Sequence, residues 1–354
     1  MRVWIDILTP KQALFFEPLI DALKERGDEV VVTSRRYREA ELICRKRQID
    51  AVFIGSHGGK ELRNKLSASL ERSKLLLEYF EDDKPDALVS FSSPEAGRVA
   101  FGLGIINICV SDSPHAEAVS KLTIPLADCL LTPWIVPEKS WTVYGIERSK
   151  IESYKALDPF VWLSRKDLSE KFHLGLNIDR SKTTISLRLE ESFASYIKND
   201  TYTHEFALIQ RLIEEFRNQN IVILCRYSEQ VDAVLKKFKG RVIVPNDIVD
   251  GVALLQQSDL FIGLGGTMTA EAALMGTPAI LERYLVSKGL LTKPRDIDGV
   301  IRVSKNFLRD PKMKKQIKMR AGRIRAGMED PIRVIVDRLD ILMRAKLNQE
   351  LSRK

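Results

Sequence analysis

Cysteine and histidine are scarce in this sequence, with four of each among 354 residues. No two cysteines have the CxxC spacing of a zinc site or a redox pair, and no cluster of His, Asp and Glu has metal-ligand spacing. The sequence therefore predicts no bound metal and no disulfide framework. A reducing cytoplasm is the expected compartment.

Long apolar runs are also missing. Ala87–Val89 and Ile221–Leu224 are typical of the apolar runs and are far too short to cross a bilayer. The first residues, MRVWIDIL, lack the long apolar stretch and the cleavage site of a signal peptide. A GxSxG nucleophile elbow and the spacing of a phosphate-binding P-loop are absent as well, which argues against those two classes of enzyme.

Positive charge is present, but it is concentrated near the C-terminus. The net charge is +8, and residues 302–354 contain 16 Lys or Arg against 6 Asp or Glu, a balance of +10. The rest of the chain therefore carries 8 − 10 = −2, so nucleic acid is not an expected partner of the body of the protein. The basic segment could meet an anionic lipid carrier or the inner membrane face, or could be a solvated helix face.

Short apolar runs alternate with amphipathic stretches along most of the chain, an order typical of a parallel, doubly wound sheet. The alternation pauses between about Tyr144 and Asp179. We therefore predict an α/β protein with two Rossmann-like parallel-sheet domains facing each other across a cleft, at 1–160 and 161–330. A last helix at 331–354 is expected to cross back onto the first domain. The predicted strands are Val3–Ile7, Val30–Thr33, Ala51–Ile54, Ala87–Phe91, Ile105–Val110, Cys129–Leu131, Thr183–Leu187, Ile221–Leu224, Val242–Val244, Leu260–Gly263 and Pro278–Leu281.

Glycines crowd one predicted strand-to-helix turn in the second half, within the segment IGLGGTMTAEAALMGTPAIL. Glycine at Gly265 and Gly266 allows positive φ and close approach of the backbone to a ligand. The free amides and the dipole of the next helix attract anions, and Thr267 or Thr269 is predicted to cap that helix.

Glu271, one turn into the same predicted helix, is placed to accept hydrogen bonds from vicinal hydroxyls such as those of a ribose. Phosphates on the amides and a ribose on Glu271 would together bind a nucleotide diphosphate. Arg188 and Arg226 follow predicted strands and could neutralise the diphosphate. The alternative is a tight strand-to-helix turn with a solvated glutamate.

Lys11 follows the first predicted strand, in the sequence Thr9-Pro10-Lys11-Gln12. Thr9 and Gln12 have the spacing of a capping box, and Pro10 falls at the first helical position. A good helix start explains these residues by itself. Lys11 could in addition meet an anionic substrate.

Polar side chains follow the fourth and fifth predicted strands as well. Since carboxyl ends of parallel strands share one edge of a sheet, Ser93 and Glu95 are expected to help Lys11 hold an acceptor or a sugar. Asp112 and His115, with Glu117 two residues further on, are candidate acid–base groups. The alternative is that Asp112 caps a helix and His115 only packs.

Four segments carry a family resemblance: WIDILTPKQALFFEPLI, SPEAGRVAFGLGI, DSPHAEAVSKLTIPLAD and the glycine-rich segment. Together they resemble an uncharacterised microbial family, number 354 among domains of unknown function, over most of the chain. More loosely, the chain resembles the GT-B architecture of nucleotide-sugar glycosyltransferases and non-hydrolysing UDP-N-acetylglucosamine 2-epimerases. In that group, the segment similar to GGTMTAEAALMGTPAI binds the nucleotide.

The resemblance implies that Gly265, Gly266, Thr267 and Glu271 contact a nucleotide. His115 and Glu117 match an epimerase stretch that follows the fifth strand. The chain then departs from the epimerases, with 118–120 reading Ala-Val-Ser where they have Gly-Leu-Arg. Arg-Leu-Glu at 188–190 also stands where they carry a further histidine.

Three functions follow as expectations from this resemblance and these residues. The first is glycosyl transfer from a nucleotide sugar, with a UDP-sugar as the expected substrate and no additional cofactor required. The second is 2-epimerisation of a UDP-amino sugar, and the third is a non-enzymatic protein that binds nucleotide or nucleic acid. The sequence leaves open the base, the acceptor and whether the protein forms an oligomer.

Overall fold

The structure is a computed structural model that describes residues 1–59, 61–165, 176, 178–189, 203–225, 228–245, 249–263, 266–281, 291–292 and 296–352. The chain divides into two compact units. Unit 1 comprises Met1–Trp162 and Met328–Lys354, and unit 2 comprises Leu163–Gly327. The predicted boundaries were 160/161 and 330/331, and those of the structure fall at 162/163 and 327/328.

Unit 1 is built on a seven-stranded parallel sheet with the order β3-β2-β1-β4-β5-β6-β7. Its strands are β1 Arg2–Ile7, β2 Glu29–Arg36, β3 Ala51–Ser56, β4 Ala87–Ser90, β5 Ile106–Val110, β6 Cys129–Pro133 and β7 Ile151–Tyr154. Its helices are α1 Pro10–Glu25, α2 Arg38–Lys46, α3 Leu62–Phe80, α4 Pro94–Leu103, α5 Glu117–Thr123, α6 Lys139–Thr142 and α7 Pro159–Leu163, together with α14 Pro331–Leu351. The central strands are almost wholly buried, as expected when helices cover both faces of a parallel sheet.

Helix α14 is attached to unit 1 by apolar and polar contacts. Ile335 and Leu339 are fully buried, and α14 packs against α1 and β5. Arg338 pairs with Glu152 on β7, and Asp340 pairs with Arg26 at 2.8 Å. The C-terminal part of the chain therefore completes the core of unit 1.

Unit 2 contains a five-stranded parallel sheet with the order β12-β11-β10-β8-β9. Its strands are β8 Thr184–Arg188, β9 Asn220–Leu224, β10 Leu260–Gly263, β11 Ala279–Leu281 and β12 Leu291–Thr292. Its helices are α8 Thr203–Glu215, α9 Ser228–Phe238, α10 Gly251–Gln257, α11 Thr267–Met275, α12 Ile297–Arg309 and α13 Pro311–Ala326. A core that includes Ile185, Leu212, Ile223 and Phe238 fills the space between this sheet and its helices.

The predicted fold class of two Rossmann-like parallel sheets with C-terminal helices is confirmed. Some local predictions were wrong. The segment between Tyr144 and Asp179, predicted as a connection, contains β7 at one edge of the first sheet. Val242–Val244, predicted as a strand, forms only a parallel bridge from Ile243 to Val222.

The capping box predicted at the start of α1 was also wrong. Thr9 occupies the cap position but its side chain makes no capping hydrogen bond, while Pro10 takes the first helical position as predicted. The Gln12 side chain instead accepts a hydrogen bond from the Leu8 amide at 2.5 Å and donates one to the Phe91 carbonyl at 3.2 Å. Gln12 thus ties the loop after β1 to the loop after β4.

Candidate functional site

The order of strands in unit 1 reverses between β1 and β4, which are neighbours in the sheet. In open parallel sheets, ligands bind outside the carboxyl ends of the strands at such a switch point. Lys11 lies here, with its ammonium 4.4 Å from the centre of the Phe91 ring. Ser92 in the same loop has a φ of +49°, an uncommon conformation for a residue other than glycine. This edge of unit 1 is therefore a candidate site.

Four charged or polar side chains form a compact cluster at this edge, which we call the Lys11 cluster: Lys11, Asp112, Tyr154 and Asp158. The Lys11 ammonium lies 2.5 Å from Asp112 Oδ2 and 2.7 Å from Asp158 Oδ2. The Tyr154 hydroxyl donates to Asp158 Oδ1 at 2.5 Å. Asp158 Oδ2 has this ion-pair contact but no hydrogen bond of good geometry. The cluster joins the loops that follow β1, β5 and β7.

The two carboxylates of the Lys11 cluster have opposite shifts in pKa. Burial raises the pKa of Asp158 to about 6, despite the opposing charge of Lys11, and the charge of Asp112 raises it further. Burial also acts to raise the pKa of Asp112, but the charge and the hydrogen bond of Lys11 bring it below its usual value. Because Asp112 is one-third exposed and Asp158 is wholly buried, Asp112 keeps its charge more easily.

Ser93 and Glu95, predicted to contact an acceptor or sugar, are buried at the start of α4. The Ser93 hydroxyl caps α4 by accepting from the Ala96 amide at 3.3 Å. Glu95 accepts a hydrogen bond from Ser69 at 2.6 Å and lies 3.5 Å from the Arg72 guanidinium. Both residues thus have partners inside unit 1, and their contact with a substrate stays a prediction.

The carboxylate of Glu95 belongs to a buried ionic group under the same edge of the sheet. Arg72 on α3 is 1% exposed and pairs with Asp6 of β1 at 2.5 Å. Asp6 also accepts from the Thr33 hydroxyl at 2.6 Å, which in turn accepts from the Trp4 indole at 2.7 Å. Every charge in this group is therefore paired, as buried charges require.

His115 and Glu117 lie on the surface beyond β5. The His115 side chain is exposed and makes no hydrogen bond with any residue that the structure describes. Glu117 begins α5 and pairs with Lys121 at 2.5 Å, an interaction that lowers the pKa of the Glu117 carboxyl. The structure brings Asp112 into the Lys11 cluster but joins neither His115 nor Glu117 to it by a hydrogen bond. The alternative that Asp112 caps a helix was wrong, since Ala116 holds the cap position of α5.

In unit 2 the strand order reverses between β8 and β10, which are also neighbours. Arg188 ends β8 in register with Gly263, the last residue of β10. Gly266 follows with a φ of +87° and open space where a side chain would stand, and it occupies the cap position of α11. The predicted cap by Thr267 or Thr269 was wrong, since Thr267 is the first helical residue. The amides at the start of α11 are thus at the switch point, where an anion would be bound.

Close packing of α11 on β10 requires a glycine at Gly263 in the same segment. A side chain at Gly263 would collide with the Thr269 hydroxyl, so α11 packs directly onto the end of β10. Gly265, predicted beside it, lies outside the described residues, as does Arg226.

Glu271 is buried on α11, with only 5% of its surface exposed. Its Oε2 atom would be 3.6 Å from a side-chain carbon built on Gly251, the first residue of α10. The carboxylate therefore lies next to the beginning of α10, near the cap that Asp250 provides through its hydrogen bond from Ala253. The alternative of a solvated glutamate was wrong.

Neither unit offers a metal site among the residues that the structure describes, since no three His, Cys, Asp or Glu side chains gather there. Cys44, Cys109 and Cys129 are buried thiols. Over the same part of the chain, no helix is both long and apolar enough to cross a membrane.

A broad cavity of about 620 Å³ opens at the amino end of β9, where Asn220, Gly240 and Arg241 line it. The amino ends of parallel strands form the edge opposite to the one at which such folds bind ligands. We therefore assign the candidate site to the carboxyl edges and not to this cavity.

The sequence did not reveal Asp158 and Tyr154 as site residues. Both belong to YKALD at the end of β7, an edge strand that the apolar pattern did not predict. Recognition of that strand would have supplied the signal, since polar residues at the carboxyl end of a parallel strand are candidates for a site.

The chain therefore has two parallel-sheet units, each with a candidate ligand site at the carboxyl edge of its sheet, and this arrangement defines its class of fold. The fold is that of the GT-B proteins, which include UDP-N-acetylglucosamine 2-epimerases and glycosyltransferases. The chain belongs to the family described as protein of unknown function DUF354, whose profile matches residues 1–343.

Similar proteins include one relative by sequence and two by structure. An uncharacterised protein of Methanocaldococcus jannaschii is 27% identical, over 96% of this chain and 98% of its own. The UDP-GlcNAc 2-epimerase from Neisseria meningitidis bound to UDP-GlcNAc aligns with a TM-score of 0.68 and 15% identity, over 96% of this chain and 99% of its own. Spinosyn forosaminyltransferase aligns with a TM-score of 0.63 and 15% identity, over 97% of this chain and 99% of its own. At these identities, the two structures establish the fold alone.

Proposed function

We propose that this protein binds a nucleotide diphosphate sugar, with a UDP-sugar as the expected substrate, and transfers the sugar to an acceptor. In this proposal the start of α11, from Gly266 to Thr267, binds the diphosphate together with Arg188. Glu271 accepts hydrogen bonds from the ribose hydroxyls. Gly265 and Arg226 belong to the same predicted set.

The observation that carries this proposal is the combination of groups at the switch point of unit 2. Adjacent elements contribute three groups here. They are the open start of α11, an arginine at the end of the neighbouring strand, and a buried carboxylate five residues after Gly266. Helix amides and arginine suit phosphate oxygens, while a carboxylate suits a diol and would repel phosphate. A nucleotide diphosphate offers both groups in one molecule.

Unit 1 supplies the acid–base chemistry in this proposal. Asp112 stays ionised at neutral pH because Lys11 holds its pKa low, so Asp112 can accept the proton of an acceptor hydroxyl. The hydroxyl oxygen then bonds to the anomeric carbon as the bond from that carbon to the diphosphate breaks. The amides of α11 and Arg188 stabilise the negative charge of the departing diphosphate. Exposed His115 is the second candidate base, and Glu117 stays a predicted acid–base group. Lys11, Ser93 and Glu95 stay predicted contacts of the acceptor or sugar.

Ligand-induced stabilisation tests the nucleotide part of the proposal. We expect one of the UDP-, GDP-, CDP- or dTDP-sugars, at about a hundred times its dissociation constant, to stabilise the protein by about 2.7 kcal/mol. Glu271→Gln keeps the shape of the side chain but weakens its acceptor strength, so the nucleotide-dependent shift in melting temperature should largely disappear.

The matched control is Glu214→Gln, the same change at an exposed position on α8 of unit 2. It should leave the nucleotide-dependent shift intact. A shift that persists in Glu271→Gln would show that Glu271 does not hold the ribose, and a wild-type protein unaffected by all four classes of sugar nucleotide would end the proposal.

Epimerisation is the second candidate, because a structure with this fold is a UDP-GlcNAc 2-epimerase bound to UDP-GlcNAc. An epimerase must remove and replace the proton on C2 of the sugar. Incubation with a UDP-amino sugar in deuterated water separates the two functions. Deuterium at C2 of the recovered sugar nucleotide would establish epimerisation, while release of UDP that depends on an acceptor would establish transfer.

A further inference from the structure

Helix α3 carries an exposed row of leucines that unit 1 does not bury. Leu62, Leu66, Leu70 and Leu77 are 82%, 61%, 64% and 44% exposed. Their spacing of four, four and seven residues places them on one side of the helix, within an arc of about 80°. We call these four residues the leucine stripe.

The contacts that hold α3 to unit 1 come from the side of the helix that adjoins the leucine stripe, and from its C-terminal half. Arg72, Leu76 and Phe80 are buried against the sheet, and all three belong to the C-terminal half of α3. Every side chain from 62 to 67 is exposed, so the first two turns bury no side chain against unit 1. Short helical segments without packing are marginal in water, so a partner that covers this half of α3 would stabilise it.

Charge is distributed unevenly along the same helix. Arg63 and Lys65 lie at its beginning, after Glu61 at the cap position, while Glu78 lies in its last turn and Glu81 and Asp82 directly follow it, all of them exposed. An identical helix running in the opposite direction would bring the basic beginning of each α3 beside the acidic end of the other. A parallel pair would instead place like charges together, so the charges favour an antiparallel partner.

The helix beside α3 also exposes a large apolar side chain. Phe101 on α4 is 57% exposed, and α4 packs against α3. A specific interface needs about 800 Å² from each partner, more than one row of leucines provides. Further surface of unit 1 would have to take part beside the leucine stripe to reach the size that a stable dimer needs.

We propose that α3 pairs antiparallel with α3 of a second copy of this chain, through the leucine stripe. The twofold axis passes near Leu70, the middle of the stripe, so that Leu62 of each copy packs against Leu77 of the other. This interface is isologous, because the same patch serves both subunits. It involves unit 1 alone and does not depend on the proposed enzymatic function.

Cross-linking between introduced cysteines tests the arrangement directly. In a Cys225→Ser background, which removes the one native thiol that is not buried, Leu70→Cys should give a covalent dimer with a short thiol-reactive linker. Leu62→Cys alone should not, since the two copies of position 62 would be about 24 Å apart. The double variant Leu62→Cys with Leu77→Cys should cross-link efficiently.

Sedimentation equilibrium tests the stripe itself. We expect the wild-type protein to be a dimer, and Leu66→Asp to raise its dissociation constant about 100-fold or more, because two symmetry-related leucines lose their burial. Leu347→Asp, at a leucine of α14 that is 57% exposed, is the matched control and should leave the dissociation constant unchanged. Both positions are on the surface, so both variants should fold.

Three results would overturn the proposal. One is a wild-type protein that stays monomeric at about 100 µM, well above the micromolar range of ordinary specific complexes. Another is a dimer as stable in Leu66→Asp as in the wild type, which would mean that a different surface pairs. The third is self-cross-linking of Leu62→Cys alone, which would mean parallel helices.

Discussion

Asp158 is an acidic residue buried inside unit 1, where Lys11 and Tyr154 contact its carboxylate. Lys11 supplies an opposite charge and Tyr154 supplies a hydrogen bond, while Asp112 brings a second negative charge to the same lysine. One cation for two carboxylates leaves the cluster with a net negative charge when both carboxyls are ionised. The more buried carboxyl therefore holds its proton to a higher pH.

Stability should depend on pH through Asp158. Its pKa in the folded protein is about 6, above the ordinary value of 3.8, so folding takes up a proton between these values. The stabilisation by Asp158 is fully present below about pH 3.8 and is lost as the pH rises through about 6. Relative to Asp158→Asn, the wild-type free energy of unfolding should fall by about 2 kcal/mol between pH 4.5 and 7.5. Denaturant unfolding at a series of pH values measures this difference.

Tyr154→Phe provides a directional control for this prediction. The phenol hydrogen bond lowers the pKa of Asp158, so its removal should move the loss of stability to higher pH. The lowered pKa of Asp112 acts in the other direction, with stability lost as the pH falls below its ordinary value of 3.8. It therefore does not mask the Asp158 effect above pH 4.5. A difference from Asp158→Asn that is constant with pH would contradict the assignment.

Sequence reasoning singled out some residues of the Lys11 cluster and missed others for a physical reason. Lys11 and Asp112 follow strongly apolar strands, so their position at a strand end could be predicted. Asp158 follows β7, where Ser153 is exposed and only Tyr154 is fully buried, and whose sequence IESY lacks an apolar run. Gln12 could not be predicted to join two loops, because its partner Phe91 is 79 residues away.

Helices α11 and α13 approach each other closely at one glycine. Gly276 ends α11 with a φ of +73°, and a side-chain carbon there would lie 2.7 Å from the α-carbon of Lys318 on α13. The backbone of α13 cannot move away as a flexible side chain could. Gly276 is therefore required both for its conformation and for the space that it leaves.

Replacing this glycine should destabilise unit 2 by more than conformational strain alone. Gly276→Ala should cost the strain of positive φ and in addition about 1–3 kcal/mol for the displacement of α13. Gly240→Ala is the matched control in the same unit, since Gly240 has a φ of +76° and open space around it. It should cost about 1–2 kcal/mol from strain only. Chemical unfolding followed by circular dichroism compares the two variants. An equal decrease in the free energy of unfolding would mean that displacing α13 has no energetic cost.

The bounds of some elements could be read from the sequence and those of others could not. Helix α14 begins at Pro331, the start predicted for the last helix, because Asp330 before the proline caps it. Asp310 caps α13 at Pro311 in the same way. Helix α12 and strand β12 were not predicted. Strand β12 has only two residues, and its place at the sheet edge comes from pairing with β11, which no local pattern encodes.

Basic residues are concentrated on α13, which has seven Lys or Arg and no acidic residue between Pro311 and Ala326. Lys314 is paired with Asp259 at 3.0 Å, and Ala321 is buried against α11. The charge excess predicted from the sequence thus belongs largely to a helix of unit 2. An anionic partner for this helix stays a prediction.

At the scale of the whole molecule, a chain that ends at Gly327 should lose stability in unit 1. Three side chains of α14, Ile332, Ile335 and Leu339, are buried in unit 1. Their removal should lower the free energy of unfolding by about 1.5–3 kcal/mol for each side chain. All four tryptophans, Trp4, Trp134, Trp141 and Trp162, belong to unit 1. Thermal unfolding followed by tryptophan fluorescence therefore reports on unit 1, and its midpoint should fall markedly in the shortened chain.

A chain that ends at Lys346 is the control for this truncation. It keeps the buried residues of α14, and the described residues that it loses, 347–352, are exposed, so the midpoint should stay close to that of the full chain. A Gly327 truncation that melts like the full chain would mean that α14 contributes little to the core of unit 1.

The path of the chain also sets an order of events during synthesis. Unit 2 is one continuous stretch, whereas unit 1 needs both the first 162 residues and the last helix. A ribosome therefore releases all of unit 2 before α14 reaches the face of α1 that it covers. That apolar face stays uncovered while unit 2 is translated, at a rate of about 5–20 residues per second. For this interval the nascent chain is exposed to aggregation at α1, and a chaperone that recognises apolar helix faces would act there.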